Sequence, residues 1–441
     1  MSDSIPQSTT TATTASHPHR PPRGKGKGKG KDHNGTKNTN RAPKLLNPLH
    51  KGIQDYLTHH LPPSTLTKYN LDTLLSSLPK RFTVYEPLLL LPVNALSSPP
   101  AWSALYTDLT PAQRETLFAC IVQAFSRTGV THVAINAPIA LTDAQGQENR
   151  MRSPAGLVPL YGDFGPMGSD NGHGEEQQPT EEDLGRAFWV RTMQNHGIVQ
   201  IWAPLYTMFS RGNVTEKARI LGAGSGFEGL DDTAGMSVVD MYAGIGYFVF
   251  SYLKRGVKRI WGWEINGWSV EGLRRGCEVN GWGCKVIRIG GDGSLEGGLG
   301  VEEMVDGLRG EDRVVVFHGD NRFAADVLRQ VREVMQARGE WCPVRHVNLG
   351  LLPSSAPAWE NACRMVDAQK GGWLHVHENV DVQRIEEMKD EITAEVGRLR
   401  AQVLGVEAVV ADCRHVERVK TYAPGVMHCV FDVKVPSLEE V

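Results

Sequence analysis

Three short polar clusters in the C-terminal half sit where an open α/β sheet binds ligands, just past the carboxyl ends of apolar strand-like runs. The first is Asp240-Met-Tyr-Ala-Gly-Ile-Gly246. Gly244 and Gly246 let backbone approach a ligand closely, and Asp240 can accept hydrogen bonds from it. The second is Glu264, 24 residues after Asp240, about where an acidic residue holds ribose hydroxyls in nucleotide sites. The third is Gly319-Asp-Asn321, whose side chains offer donors and acceptors to an adenine edge. Alone, each also reads as ordinary punctuation: a tight turn, a solvated strand-end carboxylate, an Asp-Asn cap. Together, at successive strand ends, they predict an adenosine-type site. The dinucleotide fingerprint Gly-x-Gly-x-x-Gly is not matched, because Gly244-Ile-Gly246-Tyr-Phe-Val249 puts valine where the third glycine belongs. A ligand without pyrophosphate is expected.

Other chemistry-bearing residues are less directive. Asn348-Leu-Gly-Leu-Leu-Pro-Ser-Ser355 follows a further strand and reads either as the wall of an acceptor pocket or as an irregular strand exit. His375 and His377 alternate on one strand, so they share a face, and a structural pair is expected rather than metal ligands. No His-Glu-x-x-His or comparable ligand spacing appears, and none of the seven cysteines forms a Cys-x-x-Cys pair; no metal is expected. Trp261, Trp263 and Trp268 surround Glu264 and are expected to pack against helices rather than to stack on a base. There is neither a Gly-x-Ser-x-Gly elbow nor a phosphate-binding loop.

The elements that must position these residues alternate. Ser237 to Met241, Arg259 to Glu264, Lys285 to Ile289, Arg313 to His318 and Val344 to Leu349 are short β-rich runs, and helical patterns separate most of them, at Tyr247 to Arg255, Ser269 to Asn280 and Ala324 to Arg338. Such alternation predicts a doubly wound, mostly parallel, Rossmann-like α/β sheet. Trp373 to His377, a charged helix from Val382 to Leu404, and Val426 to Val435 close the domain, the last strand pairing antiparallel. Gly290 to Asp312, glycine-rich and acidic, reads as an insertion without chemistry.

Upstream, residues 44–212 read as an N-terminal α/β accessory domain, with a helix from Pro111 to Thr128, strands at Phe82 to Tyr85 and His132 to Ile135, and an exposed loop from Gly165 to Asp183. Residues 213–441 form the catalytic domain, beginning at a helical stretch from Val214 to Leu221. Residues 1–43 have little to bury and are expected to be a disordered tail. Arg20, Arg23, Lys25, Lys27, Lys29 and Lys31 make that tail basic within a chain of formal net charge −3; it reads as a solvated segment or as a tether for phosphate. An odd number of cysteines argues against a disulfide framework, and no segment reaches the roughly 18 apolar residues of a membrane span. A cytoplasmic, monomeric protein with no membrane association is expected.

Several longer runs carry a resemblance: Leu78-Pro-Lys-Arg81-Phe-Thr-Val-Tyr85-Glu-Pro, Ala134-Ile-Asn-Ala-Pro138, Arg152-Ser-Pro154, Pro159-Leu-Tyr-Gly-Asp-Phe-Gly165, Met208-Phe-Ser-Arg-Gly-Asn213-Val-Thr-Glu-Lys217, Asp240 to Phe248, Gly319 to Asn321 and Asn348 to Ser355. With them the chain resembles the eukaryotic tRNA wybutosine-synthesising protein 2 family, aminocarboxypropyltransferases of the class I S-adenosylmethionine-dependent methyltransferase-like superfamily. The resemblance implies transfer of the 3-amino-3-carboxypropyl group of S-adenosylmethionine to 4-demethylwyosine at position 37 of phenylalanine tRNA, in the anticodon loop, releasing methylthioadenosine. It implies that Ser210 and Lys217 contact the cofactor, Glu264 its ribose, and Asp320 with Asn321 its adenine. Arg211, Asp240 and Asn348 are the catalytic candidates, with no general base identified. Lys80, Arg81, Arg150 and Arg152 are expected to meet tRNA phosphates. Two rivals stand beside this reading. A tRNA guanosine-37 N1-methyltransferase would carry Asn-Leu-Pro where this chain has Asn348-Leu-Gly-Leu-Leu-Pro353, and a non-catalytic RNA-binding protein would keep the fold alone.

Overall fold

The computed structural model describes residues 47–441 other than 78–80, 137–148, 150–156, 167–177, 211 and 224–225. The basic tail, Arg211, Lys80, Arg150 and Arg152 therefore lie outside the described residues.

The strand runs before residue 205 are short and build two small sheets. β1 (Thr83–Tyr85), β2 (Leu88–Leu91), β3 (His132–Ile135) and β4 (Val158–Tyr161) pair in chain order, and β5 (Val190–Met193) pairs antiparallel with β6 (Val199–Trp202). Leu89, Leu91 and Val133 of the first sheet pack with Leu49, Ile53 and Tyr56 of the helix Pro48–His59 and with Leu117, Phe118 and Ile121 of the helix Pro111–Ala124. The second helix starts at a capping box, Thr110 and Gln113 bonding each other's backbone N–H. The exposed loop expected from Gly165 to Asp183 ends earlier, because Thr180 and Asp183 form another capping box that starts the helix Glu181–Arg186.

The larger sheet holds eight strands: β7 (Ser237–Asp240), β8 (Arg259–Glu264), β9 (Gly283–Arg288), β10 (Asp312–His318), β11 (Val344–Leu349), β12 (Gly372–Asp381), β13 (Asp412–Ala423) and β14 (Val426–Val435). Their order is β13-β14-β12-β11-β7-β8-β10-β9. β7 to β12 all run parallel to their neighbours among themselves, whereas β14 lies antiparallel between β12 and β13. This is the doubly wound arrangement expected. Strand order reverses at β7, which makes its carboxyl end the crevice of the sheet.

The strands are apolar on both faces. Val238, Ile260, Val314 and Val316 face one cluster of buried side chains, while Val239, Trp261, Trp263, Val315 and Phe317 face the other. Full burial stabilises each by roughly 1.5–3 kcal/mol, which fixes the register and with it the height at which each strand-end polar residue emerges. Trp261 and Trp263 are thus core residues, as expected. Gly272 in the helix Gly267–Asn280 has a packing reason: a Cβ there would lie 2.7 Å from the carbonyl oxygen of Ile201 in β6.

The stretch 290–312 is more ordered than a plain insertion. It carries the helix Val301–Asp306, whose Met304 and Val305 are buried.

Candidate active site

The strand ends bring the predicted residues together. Asp240 and Asn348 are register partners on β7 and β11, Glu264 is paired with His318 at the end of β10, and Gly319, Asp320 and Asn321 follow directly. Backbone bonds lock these ends: Met241 donates to Asn348 O at 3.0 Å, Ala243 to Trp263 O at 2.9 Å, and Gly319 to Glu264 O at 3.0 Å.

Glu264 is held from both sides. Its Oε2 accepts from Gly244 N at 2.8 Å and its Oε1 from Asn266 N at 2.8 Å. Burial pushes its carboxyl above the usual range, against the pull of those donors. Ile265 N–H is a third backbone donor to the carboxylate, and of its roughly four lone-pair sites capacity remains for a ligand hydroxyl. Gly246 sits at φ 88°, and a Cβ there would meet the Phe250 ring at 2.6 Å. Glycine is therefore required for the loop to turn under a ligand.

Asn321 Nδ2 donates to Met241 O at 2.7 Å, tying the third cluster to the first. Asp320 caps the turn after it, its Oδ1 accepting from Arg322 N at 3.0 Å. Asp240 is completely buried. Its Oδ1 accepts from Tyr242 N at 3.2 Å and from Asn348 Nδ2 at 3.4 Å, while its Oδ2 and the Oδ1 of Asn348 have no hydrogen-bond partner among the described residues. Burial pushes the Asp240 carboxyl up to about 7.

The strap 203–210 and the helix Val214–Ile220 bring Ser210 and Lys217 to the same loop through Tyr247. The Tyr247 hydroxyl donates to Met208 O at 2.6 Å and accepts from Ser210 N at 3.1 Å. Lys217 Nζ lies 5.3 Å from the centre of the Tyr247 ring and 5.8 Å from that of Phe209. Its one hydrogen bond among the described residues is to Gln200 Oε1 at 3.2 Å. Lys217 is 7% exposed and pairs with no described carboxylate; burial lowers its pKa to about 8. A desolvated cation without an anion is costly and suits a site that receives one.

Sequence reasoning does not single out Gln200, Tyr247 or Gln178. Gln178 bonds Ile265 O, Gly267 N and His318 Nε2 around the Glu264 turn. Trp268 packs as expected, stacked on Tyr206 at 3.8 Å. His375 and His377 share a face and make the expected structural pairs, with His346 and Asp432 and with His428. Away from the strand ends, Asp55, His60 and Cys120 bring donor atoms within 4.8 Å of one another, a grouping the sequence spacing does not reveal.

The glycine loop, the acid that anchors it and Lys217, which has no carboxylate partner among the described residues, fit a small adenosine ligand that carries a carboxylate. No family model matches the chain. The tRNA wybutosine-synthesizing protein 2 of Schizosaccharomyces pombe is 37% identical over 357 residues, covering 81% of this chain and 72% of its own. That of Saccharomyces cerevisiae is 32% identical over 397 residues, covering 83% and 76%. Among solved structures, P. horikoshii TYW2 in complex with MeSAdo aligns over 85% of this chain and 97% of its own, at 18% identity with a TM-score of 0.49. By its extent and identity to these fungal relatives, the chain belongs to the tRNA wybutosine-synthesizing protein 2 family.

Proposed function

We propose that the protein transfers the 3-amino-3-carboxypropyl group of S-adenosylmethionine to 4-demethylwyosine at position 37 of phenylalanine tRNA, releasing methylthioadenosine. Membership of the family supports the reaction. The observation that carries the cofactor is Lys217, a buried ammonium with no carboxylate partner among the described residues, suited to the methionyl carboxylate.

In this reading Glu264 holds the ribose hydroxyls, Asp320 and Asn321 read the adenine, and Gly244 and Gly246 give backbone access beneath it. Ser210 and Lys217 hold the methionyl end. The sulfonium supplies its own leaving group, so the residues here choose which of its carbons meets the nucleophile. A carbon–carbon bond forms to the base, the sulfur–carbon bond breaks with its electron pair going to sulfur, and the base carbon loses its proton. Asp240 and Asn348, both fully buried, act as positioning residues that set the loop at β7. Residues 44–212 position the tRNA anticodon loop, residues 213–441 carry the chemistry, and the basic tail 1–43 is an adjunct. No described helix is long and apolar enough to cross a membrane. A cytoplasmic monomer is the working form. The reading is tested by asking which carbons of S-adenosylmethionine reach the tRNA.

A further inference from the structure

A cleft of about 1020 Å³ opens beside Ser210, walled by the first small sheet, Trp202, the strap 203–210, Gly212 and Lys420 of β13. Its volume is at the upper end of the range for sites that enclose a small molecule. Its chemistry is one-sided. Arg81 and Lys420 are its charged lining residues, and no Asp or Glu lines it among the described residues, in a chain whose formal net charge is −3.

Its wall is aromatic. Phe209 is half-buried and lies flat on the buried Trp202, with ring centres 4.4 Å apart and 14° between planes, and Tyr85 meets both rings edge-on. A platform backed this way offers a rigid face to a planar ring.

Lys420 is half-buried and makes no ion pair with a described residue. Its ammonium packs on Gly212: a Cβ at Gly212 would lie 2.1 Å from Lys420 Nζ. Gly212 N in turn donates to Ser210 Oγ at 3.4 Å. The cation, the aromatic platform and the cofactor corner therefore adjoin.

We propose that this cleft seats the target nucleotide of the RNA, its base against Phe209 and its flanking phosphates on Lys420 and Arg81. The inference rests on the tRNA reading and adds Lys420, from the far edge strand of the large sheet, to the substrate site. Single-stranded RNA is held by this combination: aromatic stacking for the base, cations for the backbone. An acidic peptide would use the cations and leave the platform idle.

The test is filter binding of a phenylalanine tRNA anticodon stem-loop over a series of salt concentrations. Wild type is compared with Lys420→Gln, Arg81→Gln and Phe209→Leu, and S-adenosylmethionine affinity is measured on each by calorimetry. Lys420→Gln is expected to weaken RNA binding about tenfold and to flatten the log affinity against log salt slope by about 0.7, the value for one single-strand phosphate contact. Phe209→Leu is expected to weaken it about tenfold with the slope unchanged. RNA affinity and slope equal to wild type in Lys420→Gln, in protein with an unchanged melting curve and unchanged cofactor affinity, overturns the proposal. So does a loss of polyglutamate binding as large as the loss of RNA binding, with Phe209→Leu silent, which makes the cleft a peptide site. If Lys420→Gln does not fold, Lys420→Arg replaces it and must retain RNA affinity. RNA binding that responds as expected in a protein transferring no group to tRNA upholds the cleft and refutes the proposed reaction.

Discussion

Glu264 Oε2 accepts the backbone N–H of Gly244 at 2.8 Å, joining the ends of β8 and β7. One carboxylate thus shapes the glycine loop and is the group proposed to hold the ribose. Glu264→Gln offers a single acceptor oxygen, so its amide group opposes one of the two N–H donors of Gly244 and Asn266. S-adenosylmethionine affinity should fall at least tenfold, about 1–3 kcal/mol for an unsatisfied buried donor, as read by calorimetry. Unchanged affinity would remove Glu264 from the site.

Lys217→Met should move stability and binding in opposite directions. Removing a buried cation without an anion leaves the fold as stable or stabilises it, while cofactor affinity drops at least tenfold. The pH dependence follows from burial, which lowers the ammonium from its ordinary 10.5 to about 8 in the folded state. Between these values the unfolded chain holds more protons, so stability rises with pH across that window in wild type and not in the variant. Cofactor affinity of wild type should decline above about pH 8, as the ammonium loses its proton, and Lys217→Met should show no such decline. Thermal melts and calorimetry from pH 7 to 10 check both.

Arg219, 2% exposed, clamps Glu216 through Nε and Nη2 at 2.9 and 3.1 Å and reaches Asp432 at 2.9 Å; Asp432 bonds His375 at 2.7 Å. The chain of contacts pins the helix that carries Lys217 to β12 and β14. Arg219→Met leaves two carboxylates buried without their cation and should cost about 3–5 kcal/mol in urea unfolding. A loss under about 1 kcal/mol would show that the helix is held by apolar packing alone.

His428 sits against His377 at 3.0 Å, and burial, then the Lys420 ammonium, lowers its pKa from 6.5 to about 4. The folded state holds fewer protons than the unfolded one in this window, so the stability present above pH 6.5 is lost as pH falls toward 4. His428→Asn lacks that titration. Between pH 7 and 4.5 wild type should lose on the order of 2 kcal/mol more than the variant; parallel curves would mean that His428 is protonated in the fold.

The catalytic sheet was legible because its strands are apolar on both faces and its helices begin and end at clear signals, such as Asn266 and Gly281 around the helix Gly267–Asn280. β13 was not. Cys413, Val416 and Val419 recur every third residue, since register shifts between Cys413 and His415 and between Arg418 and Lys420 break the two-residue alternation of a strand. β2 was hidden for another reason, because four consecutive leucines carry no period. The candidate site followed the same division. Glu264, Gly319, Asp320 and Asn321 lie beside their strands in sequence and were found there. The isolation of Lys217 from every described carboxylate, the Gln178 contacts and the place of Lys420 in the cleft depend on partners far away in the chain, and no local pattern encodes them.

The most direct measurement incubates the protein with phenylalanine tRNA bearing 4-demethylwyosine and S-adenosylmethionine labelled either in its methyl group or in its carboxyl carbon. Carboxyl label in the tRNA, no methyl label there, and one methylthioadenosine released per group transferred are the expected result. Methyl label in the tRNA without carboxyl label would contradict it and make the protein a methyltransferase.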